Sequence, residues 1–359
     1  AQKEYIFPPK PSIRLITDMM AYCTEHVPQW NTISISGYHI REAGATAIQE
    51  LAYTLADGFQ YIESAIEAGQ DIDDFAPRLS YFFNAHSDFF EEIAKYRAAR
   101  RIYARHMRDK YGAKNERSWL LRFHTQTAGC SLTAQQPENN IVRVAIQALS
   151  GVLGGTQSLH TNSMDETLAL PSEKAALIAL RTQQVIAYET GVANTIDPLG
   201  GSWFIEALTD KMEAEAEKIF AEIESRGGVL TCIEEGYFQR ELARSAYRYQ
   251  REIETKERIV VGINDYIMED EKIDIPVLKI DHEVEEGQIA FCKKIKAERD
   301  NAAVKAALEN LRKVANADGN TFEAILDCAR VYGSVGEICD VLRETWGEWT
   351  ESRAAMQVS

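Results

Sequence analysis

Three histidines in this sequence follow short apolar segments, and each has polar neighbours able to bind a ligand. The groups are Tyr38 with His39, His124 with Thr125 and Gln126, and His160 with Thr161 and Asn162. Each group comes just before a segment with helical character, so a parallel sheet would bring these side chains to one edge. Neutral imidazole, amide and hydroxyl groups there suit the orientation of an uncharged, multifunctional ligand and the polarisation of a reactive carbonyl.

A metal centre with three histidine ligands is an alternative, because imidazole is a common ligand of transition metals. The sequence contains no HxH pair, no HExxH motif and no carboxylate at ligand spacing that would support it. It also lacks the GxSxG nucleophile elbow, the P-loop and the GxGxxG fingerprint. We therefore favour a neutral hydrogen-bonding pocket, while any single histidine at a strand end can instead be a structural hydrogen-bonding group.

The spacing of apolar and turn residues predicts strands that alternate with helices, which is typical of a parallel sheet. The predicted strands cover residues 31–37, 78–84, 119–124, 156–160, 193–196 and 259–263. The predicted helices cover residues 12–26, 43–58, 60–69, 88–111, 138–153, 172–190 and 206–226, the first delayed by Pro8, Pro9 and Pro11. This gives about five strand–helix units, fewer than a (β/α)8 barrel needs. Either the sheet is open, or the first units precede Ala1.

The character of the chain changes after Asn264. Residues 1–264 are predicted to form the strand–helix domain, 265–285 a charged connector, and 286–359 a helical tail. Helices are expected at 288–315, 321–332 and from 335 to about 345. Such a tail suits either a cover for the sheet or a surface for a partner.

The composition excludes several classes of protein. A net charge of −16 makes binding to nucleic acid or to an anionic membrane surface unlikely on electrostatic grounds. The six cysteines include no CxxC pair, which argues against a disulfide framework or a zinc ribbon and suits a reducing cytoplasm. No apolar run approaches the ~18 residues of a membrane span, and no signal peptide is visible. Because the chain starts without Met and becomes patterned almost at once, we expect it to be an N-terminally truncated part of a longer protein.

Six ordered segments closely resemble the substrate-binding chain of the adenosylcobalamin-dependent acyl-CoA mutases, the methylmalonyl-CoA mutase family. They are NTISISGYHIREAG, ELAYTLADG, FAPRLSYFF, LLRFHTQTAGCSLTAQQPENNIVRVAIQAL, GGTQSLHTNSMDETLALP and DPLGGSW. The resemblance implies a TIM-type (β/α)8 barrel, threaded along its axis by the pantetheine arm of coenzyme A. It also implies that the first strands precede this chain and that residues 286–359 are a C-terminal helical appendage.

The resemblance implies a role for individual residues. His39 matches the histidine that hydrogen-bonds the thioester carbonyl of the substrate, and Tyr38 lines the same pocket. Arg78 and Ser80 match residues that hold the acyl-CoA arm. The remaining matches are His124 and Gln126, beside the substrate and the adenosyl group, and Asn162 and Glu166, facing the cobalamin and the adenosyl ribose.

Two departures from the family pattern bear on function. Methylmalonyl-CoA mutases carry an Arg that binds the substrate carboxylate just before the YIFPP-like segment, and here that position is Gln2. Gln at this place resembles the isobutyryl-CoA and 2-hydroxyisobutyryl-CoA mutases. The cobalamin-binding DxHxxG motif is absent from these residues. The lower ligand of cobalamin is therefore expected from a separate small subunit, in a heterotetramer or larger assembly.

The implied activity is a radical 1,2-rearrangement of a short branched acyl-CoA, of the isobutyryl-CoA or 2-hydroxyisobutyryl-CoA type. Methylmalonyl-CoA mutase proper is one alternative. A non-catalytic, mutase-like partner subunit is another, although such a subunit would be expected to lose the polar pocket that this sequence keeps. A metal-dependent barrel lyase or hydrolase that uses the three histidines is a further alternative.

Overall fold

The computed structural model describes residues 5–272 and 275–351, so Gln2 lies outside the described residues. Its centre is one parallel sheet with the strands in chain order. The strands are β1 (Ser34–Ser36), β2 (Ser80–Ala85), β3 (Phe123–Thr127) and β4 (Ser158–His160). The predicted parallel sheet is confirmed, but a closed barrel is not seen, because these residues supply only four strands.

Side chains alternate across the sheet and give it two different faces. The register pairs Ile35 with Tyr81 and Tyr81 with Phe123, so one face is apolar. The opposite face carries Ser34, Ser36, Ser80, Phe82, Asn84, His124, Gln126, Ser158 and His160. This second face is the polar face of the sheet, and Ser34, Ser158 and His160 on it are exposed.

Helices cover the apolar face. The helices up to residue 254 are α1 (Pro9–His26), α2 (Tyr38–Glu42), α3 (Ala47–Glu67), α4 (Ile72–Phe75), α5 (Phe89–Arg105), α6 (Asn139–Leu153), α7 (Glu173–Glu189), α8 (Trp203–Ser225), α9 (Val229–Glu234) and α10 (Tyr237–Glu254). The ring of Tyr96 on α5 stacks on Phe123 of β3 at 5.2 Å. On α6, Gly151 faces the Thr125 side chain. Helices α3, α5 and α6 therefore seal this face with apolar contacts, whereas the polar face remains available to a ligand.

Several predicted helix boundaries were wrong for identifiable reasons. Helix α1 begins at Pro9 rather than Ser12, because proline is tolerated in a first helical turn, where its missing N–H has no partner to lose. Residues 47–67 form one helix where two were predicted. Gly58 lies inside it because a Cβ there would overlap the Tyr81 ring, so glycine serves close packing rather than a break.

Two predicted strands were also wrong. Residues 192–194 form a 3₁₀ turn after Gly191, whose φ is +74°, and Ile196 is 95% exposed. Residues 259–263 contribute only an isolated bridge between Val261 and Asp265. A short apolar run does not indicate whether a neighbouring strand is available to pair with it. Periodicity alone therefore predicts more strands than the structure contains.

The C-terminal helices are α11 (His282–Glu298), α12 (Asn301–Ala315), α13 (Thr321–Arg330) and α14 (Val335–Trp346). The predicted single helix over 288–315 is wrong, because Asp300 caps the start of α12 by accepting from the Ala302 and Ala303 amides. A second small core joins Leu311, Cys328 and Leu342, and Asp18 on α1 accepts hydrogen bonds from Thr321. Among the described residues, no helix is long and apolar enough to cross a membrane.

Candidate active site at the carboxyl ends of the strands

Gly37 allows helix α2 to begin immediately after β1. Its amide donates to the Phe82 carbonyl at 2.8 Å, and a Cβ at this position would overlap the Thr54 hydroxyl on α3. Only glycine fits this close approach. The turn places Tyr38 and His39 in the first turn of α2, over the carboxyl end of the sheet. The prediction that His39 ends a strand is therefore wrong, because it lies on this short helix.

A row of hydrogen bonds joins three of the predicted site residues. The side-chain amide of Gln126 donates to the Tyr38 hydroxyl at 3.0 Å and to Asn162 Oδ1 at 2.9 Å. Asn162 is fixed in turn by Thr127, whose carbonyl accepts from Asn162 Nδ2 at 3.0 Å. The Tyr38 ring stacks on Phe82 at 4.9 Å. Burial raises the pKa of Tyr38 and the nearby Glu42 carboxylate raises it further, so the phenol stays protonated at neutral pH.

His39 is oriented by a residue that sequence reasoning missed. The Ser36 hydroxyl lies 3.0 Å from His39 Nδ1, and the imidazole and the Phe82 ring form a T-shaped pair with centroids 6.0 Å apart. Ser36 follows from the alternation of Ile and Ser in residues 33–36, which puts every second side chain on the polar face. That alternation was the available signal.

His124 lies on the same face of the sheet as Gln126, two residues earlier in β3 and so further from the carboxyl end of the strand. It is the second residue of β3 and not its end, and its Nδ1 lies 2.7 Å from the Ser158 hydroxyl. Partial desolvation lowers the pKa of His124, with a further decrease from His160, and partial desolvation also lowers the pKa of the largely exposed His160. Both imidazoles are therefore neutral at pH 7, as the proposed hydrogen-bonding role needs.

The three histidines do not form a metal site in the part of the chain that the structure describes. The Phe82 ring separates two of them, lying 6.0 Å from the His39 ring and 4.9 Å from the His124 ring. Within residues 5–272 and 275–351, no group of three or more His, Cys, Asp or Glu side chains has the arrangement of metal ligands. The geometry instead presents neutral donors and acceptors.

Glu166 stands at the rim of the site after β4. Its position is set by the preceding residue, since Asp165 accepts from the Ser163 hydroxyl at 2.6 Å and from the Ser172 amide at 2.9 Å. Glu166 is exposed, but partial desolvation raises its pKa, and the nearby carboxylates of Glu42 and Asp165 add to the increase.

Arg78 and Ser80 lie at the opposite, amino end of β2. Arg78 donates to Gln29 Oε1 at 2.9 Å, and the Ser80 hydroxyl donates to the Ile33 carbonyl at 2.9 Å. Asn84 lies four positions after Ser80 along the strand, which corresponds to about 13 Å. The structure therefore does not cluster all the predicted site residues: the polar face runs between two groups, one at each end of the strands.

Three further residues, missed by sequence reasoning, complete the carboxyl end of the site. Asn84 at the end of β2 donates to Glu42 at 2.7 Å, and Glu42 also accepts from the loop that holds Gly129. A Cβ on Gly129 would lie 3.0 Å from Glu42 Oε2 and 3.3 Å from the Tyr38 hydroxyl. Glu42 lies one helical turn after Tyr38 on α2. The sequence did not indicate this, because the pattern of residues 41–44 indicates the start of the following long helix.

The fold and the site define an α/β protein whose polar groups gather at the carboxyl ends of parallel strands, the usual position of an active site in such folds. The chain belongs to the methylmalonyl-CoA mutase family: the family model described as Methylmalonyl-CoA mutase matches residues 1–348.

Similar proteins with two different names match almost the whole chain. It is 44% identical to the 2-hydroxyisobutanoyl-CoA mutase large subunit of Aquincola tertiaricarbonis over 353 residues, 98% of this chain and 63% of that protein. It is 47% identical to the mitochondrial methylmalonyl-CoA mutase of Homo sapiens over 346 residues, 96% of this chain and 46% of that protein. Identity to the methylmalonyl-CoA mutase of Escherichia coli is also 47%, over 94% of this chain and 47% of that protein. The chain thus spans about half to two thirds of the length of these relatives.

Proposed function

We propose that the protein containing this chain is an adenosylcobalamin-dependent acyl-CoA mutase that rearranges the carbon skeleton of a short branched monoacyl-CoA. The proposed substrate is of the isobutyryl-CoA or 2-hydroxyisobutyryl-CoA type. The observation that carries the proposal is the row formed by Tyr38, Gln126 and Asn162, beside His39, at the carboxyl end of the strands. Methylmalonyl-CoA is the second candidate substrate, because relatives with that name are as similar to this chain as the 2-hydroxyisobutanoyl-CoA mutase subunit.

The polar face of the sheet suits an extended acyl-CoA. Its hydroxyl, amide and imidazole groups continue from Ser80 at one end to Gln126 at the other. A pantetheine arm carries amides and a hydroxyl at intervals and needs such neutral partners along its length. We propose that Arg78 and Ser80 hold the arm near one end, and that the acyl group lies near His39 and His124 at the other.

His39 is proposed to hydrogen-bond the thioester carbonyl. When the Ser36 hydroxyl donates to Nδ1, the proton of the neutral imidazole resides on Nε2, which becomes the donor to the substrate. A donor fixed in this way stabilises negative charge that develops on the carbonyl oxygen during rearrangement. His39 is half-buried beside Phe82, and closure of the pocket by the substrate would strengthen that hydrogen bond further.

Two residues are proposed to hold the ribose of an adenosyl group, Glu166 exposed at the rim and Asn162 buried just inside it. Asn162 and Glu166 offer amide and carboxylate groups to vicinal hydroxyls, and Gln126 lies between Asn162 and Tyr38. The α-carbon of Gly129 leaves open the space that a Cβ would fill beside Tyr38 and Glu42. When bound, adenosylcobalamin would supply a carbon radical that abstracts a substrate hydrogen, while these side chains hold the adenosyl group and exclude water.

Replacement of Glu166 with alanine is expected to raise the adenosylcobalamin concentration needed for half-maximal activity by about tenfold, the effect of losing one hydrogen bond to a charged group. Spectroscopic detection of Co–C cleavage in the full-length enzyme should show a smaller cleaved fraction. The exposed Glu189 on α7 provides a control, and its alanine variant should behave like the wild type. Unchanged cofactor dependence and cleavage in the Glu166 variant would contradict its proposed role.

The lower ligand of cobalamin is proposed to come from a small cobalamin-binding subunit, in a heterotetramer or larger assembly. The support is the name "large subunit" of one similar protein. Helix α11 suits contact with such a partner, because none of its residues is buried and its Phe291 is 57% exposed. We assign the helical tail 286–359 to this contact, and we place the enzyme in the cytoplasm.

The partner hypothesis predicts that the full-length polypeptide alone has no mutase activity and binds cobalamin weakly. Addition of the small subunit should restore isomerisation of an acyl-CoA, measured by chromatographic separation of the two isomers. Tight, stoichiometric cobalamin binding by the polypeptide alone would exclude a separate ligand-donating subunit. If no acyl-CoA is isomerised by the complete assembly, the non-catalytic alternative is supported instead.

A further inference from the structure

Glu42 links the ends of three structural elements in the candidate site. It is the last residue of α2, and each of its carboxylate oxygens accepts a different hydrogen bond. Oε1 accepts from Asn84 Nδ2 at 2.7 Å, at the end of β2. Oε2 accepts from the Cys130 amide at 2.8 Å, in the 3₁₀ turn of residues 129–131 that follows β3.

One side of this link is anchored in the protein core. Asn84 is fully buried, and its backbone amide donates to Glu50 Oε1 at 2.6 Å. Its carbonyl accepts from Lys95 Nζ at 2.7 Å and from the Tyr96 hydroxyl at 2.6 Å. Because the backbone of Asn84 is held on both sides, a hydrogen bond to its side chain transmits that rigidity to Glu42.

The other side of the link is the turn of residues 129–131, which forms one wall of the proposed cofactor pocket. Gly129 approaches the Tyr38 hydroxyl and the Asn162 side chain so closely that a Cβ would lie 3.3 Å from each. The turn is held from two sides, because the Ser131 hydroxyl accepts from Gln147 Nε2 on α6 at 2.7 Å and the Cys130 amide donates to Glu42. The Cys130 side chain is exposed and adds little packing, so the hydrogen bond to Glu42 orients the part of the turn around Cys130.

Glu42 must be a carboxylate to satisfy both donors. Burial raises the pKa of Glu42 overall, and the hydrogen bonds from Asn84 and from the backbone of Cys130 offset part of this increase. A protonated acid would present its own O–H to one of the two N–H groups and break one side of the link.

We propose that Glu42 is a positioning residue, which ties the turn of residues 129–131 to Asn84 and thereby fixes the Tyr38–Gln126–Asn162 row for the adenosyl group. Its role at the cofactor rests on the proposed function, whereas its action on the turn does not. The geometry assigns Glu42 no contact with a reacting atom.

The first test is hydrogen–deuterium exchange in peptides that cover residues 127–133 of the full-length protein without ligands. Glu42→Ala should speed exchange at Cys130 by about tenfold or more, since its amide loses a charged acceptor. Glu91→Ala provides the control, because Glu91 is a half-buried carboxylate on α5 whose backbone amide donates to Asp88 rather than to the turn, and its removal should leave exchange unchanged. Equal exchange in wild type and Glu42→Ala would overturn the proposal.

A polarity exchange separates positioning from general destabilisation. Asn84→Asp places two carboxylates against each other and should loosen the turn. Adding Glu42→Gln lets the new amide at position 42 donate to the new carboxylate at position 84, while its carbonyl still accepts from Cys130. Exchange should then return to within about twofold of wild type. Asn84→Asp with Glu91→Gln has the same net charge and should show no recovery. Equal behaviour of the two double variants would overturn the link between positions 42 and 84.

Kinetics of the assembled enzyme provide the functional measurement. The Glu42→Ala variant should need about tenfold more adenosylcobalamin for half-maximal rate, with the KM for acyl-CoA changed less than about twofold. A proportional rise in both constants would show that Glu42 does not act on the cofactor side. If the wild-type assembly isomerises no acyl-CoA, the proposed function fails, while the exchange experiments still decide the role of Glu42 in the turn.

Discussion

Replacement of His39 with alanine is expected to lower turnover by about 10²–10³, the range for loss of one preorganised donor to a developing oxyanion. The imidazole lies against Ser36 and the Phe82 ring, so in the tautomer in which Ser36 donates to Nδ1 the Nε2–H is oriented before the substrate arrives. A donor that strengthens as charge develops lowers kcat more than it raises KM. The expected signature is therefore a large fall in kcat with a change of less than about threefold in the KM for acyl-CoA.

Two variants sharpen this experiment. His39→Gln keeps a neutral N–H donor of similar reach and should recover part of the lost turnover. The exposed His26 on α1 gives the matched control, and His26→Ala should leave turnover unchanged. A His39→Ala enzyme with near-normal kcat would remove His39 from the mechanism. The Tyr38 hydroxyl would then be a candidate donor, because both N–H groups of Gln126 already donate to Tyr38 and Asn162.

The parallel sheet could be predicted because the strand patterns depend on local residue types and not on contacts with distant parts of the chain. Alternation in residues 33–36 and the apolar run around Phe83 are properties of the residues themselves. The position of a histidine relative to a strand end was not predictable to one residue. His39 lies in a helix because Gly37 packs against Thr54, and that contact joins residues distant in the sequence.

The sequence indicated which kinds of polar group line the candidate site, but not which of them hydrogen-bond to one another. Neutral polar residues after the apolar segments indicated hydrogen-bonding groups at the strand ends, and the structure places Tyr38, Gln126 and Asn162 in one row. Asn84 and Glu42 were missed because a carboxylate paired with an amide across two elements has no local spacing. Such pairs depend on register, which a single sequence does not specify.

Gln2 is expected to make the enzyme prefer a monoacyl-CoA over methylmalonyl-CoA by about 10³ or more in kcat/KM. We propose that Gln2 takes the position at which methylmalonyl-CoA mutases carry a carboxylate-binding Arg, as the resemblance implies. Arginine supplies a permanent charge and two parallel donors, and an amide supplies neither. A carboxylate that leaves water for a dry pocket without a cation loses several kcal/mol, which corresponds to this discrimination.

The measurement is kcat/KM of the complete enzyme on isobutyryl-CoA, 2-hydroxyisobutyryl-CoA and methylmalonyl-CoA. Gln2→Arg should raise activity on methylmalonyl-CoA relative to the other two by about tenfold or more, because a bidentate cation then meets the carboxylate. Gln2→Leu removes the amide without adding charge, so it should leave methylmalonyl-CoA a poor substrate. A specific loss of the hydroxylated substrate in Gln2→Leu would mean that the amide hydrogen-bonds the substrate hydroxyl and would identify 2-hydroxyisobutyryl-CoA as the preferred substrate. If methylmalonyl-CoA is the best substrate of the wild type, Gln2 does not set the specificity, and the charge that binds the carboxylate comes from another residue.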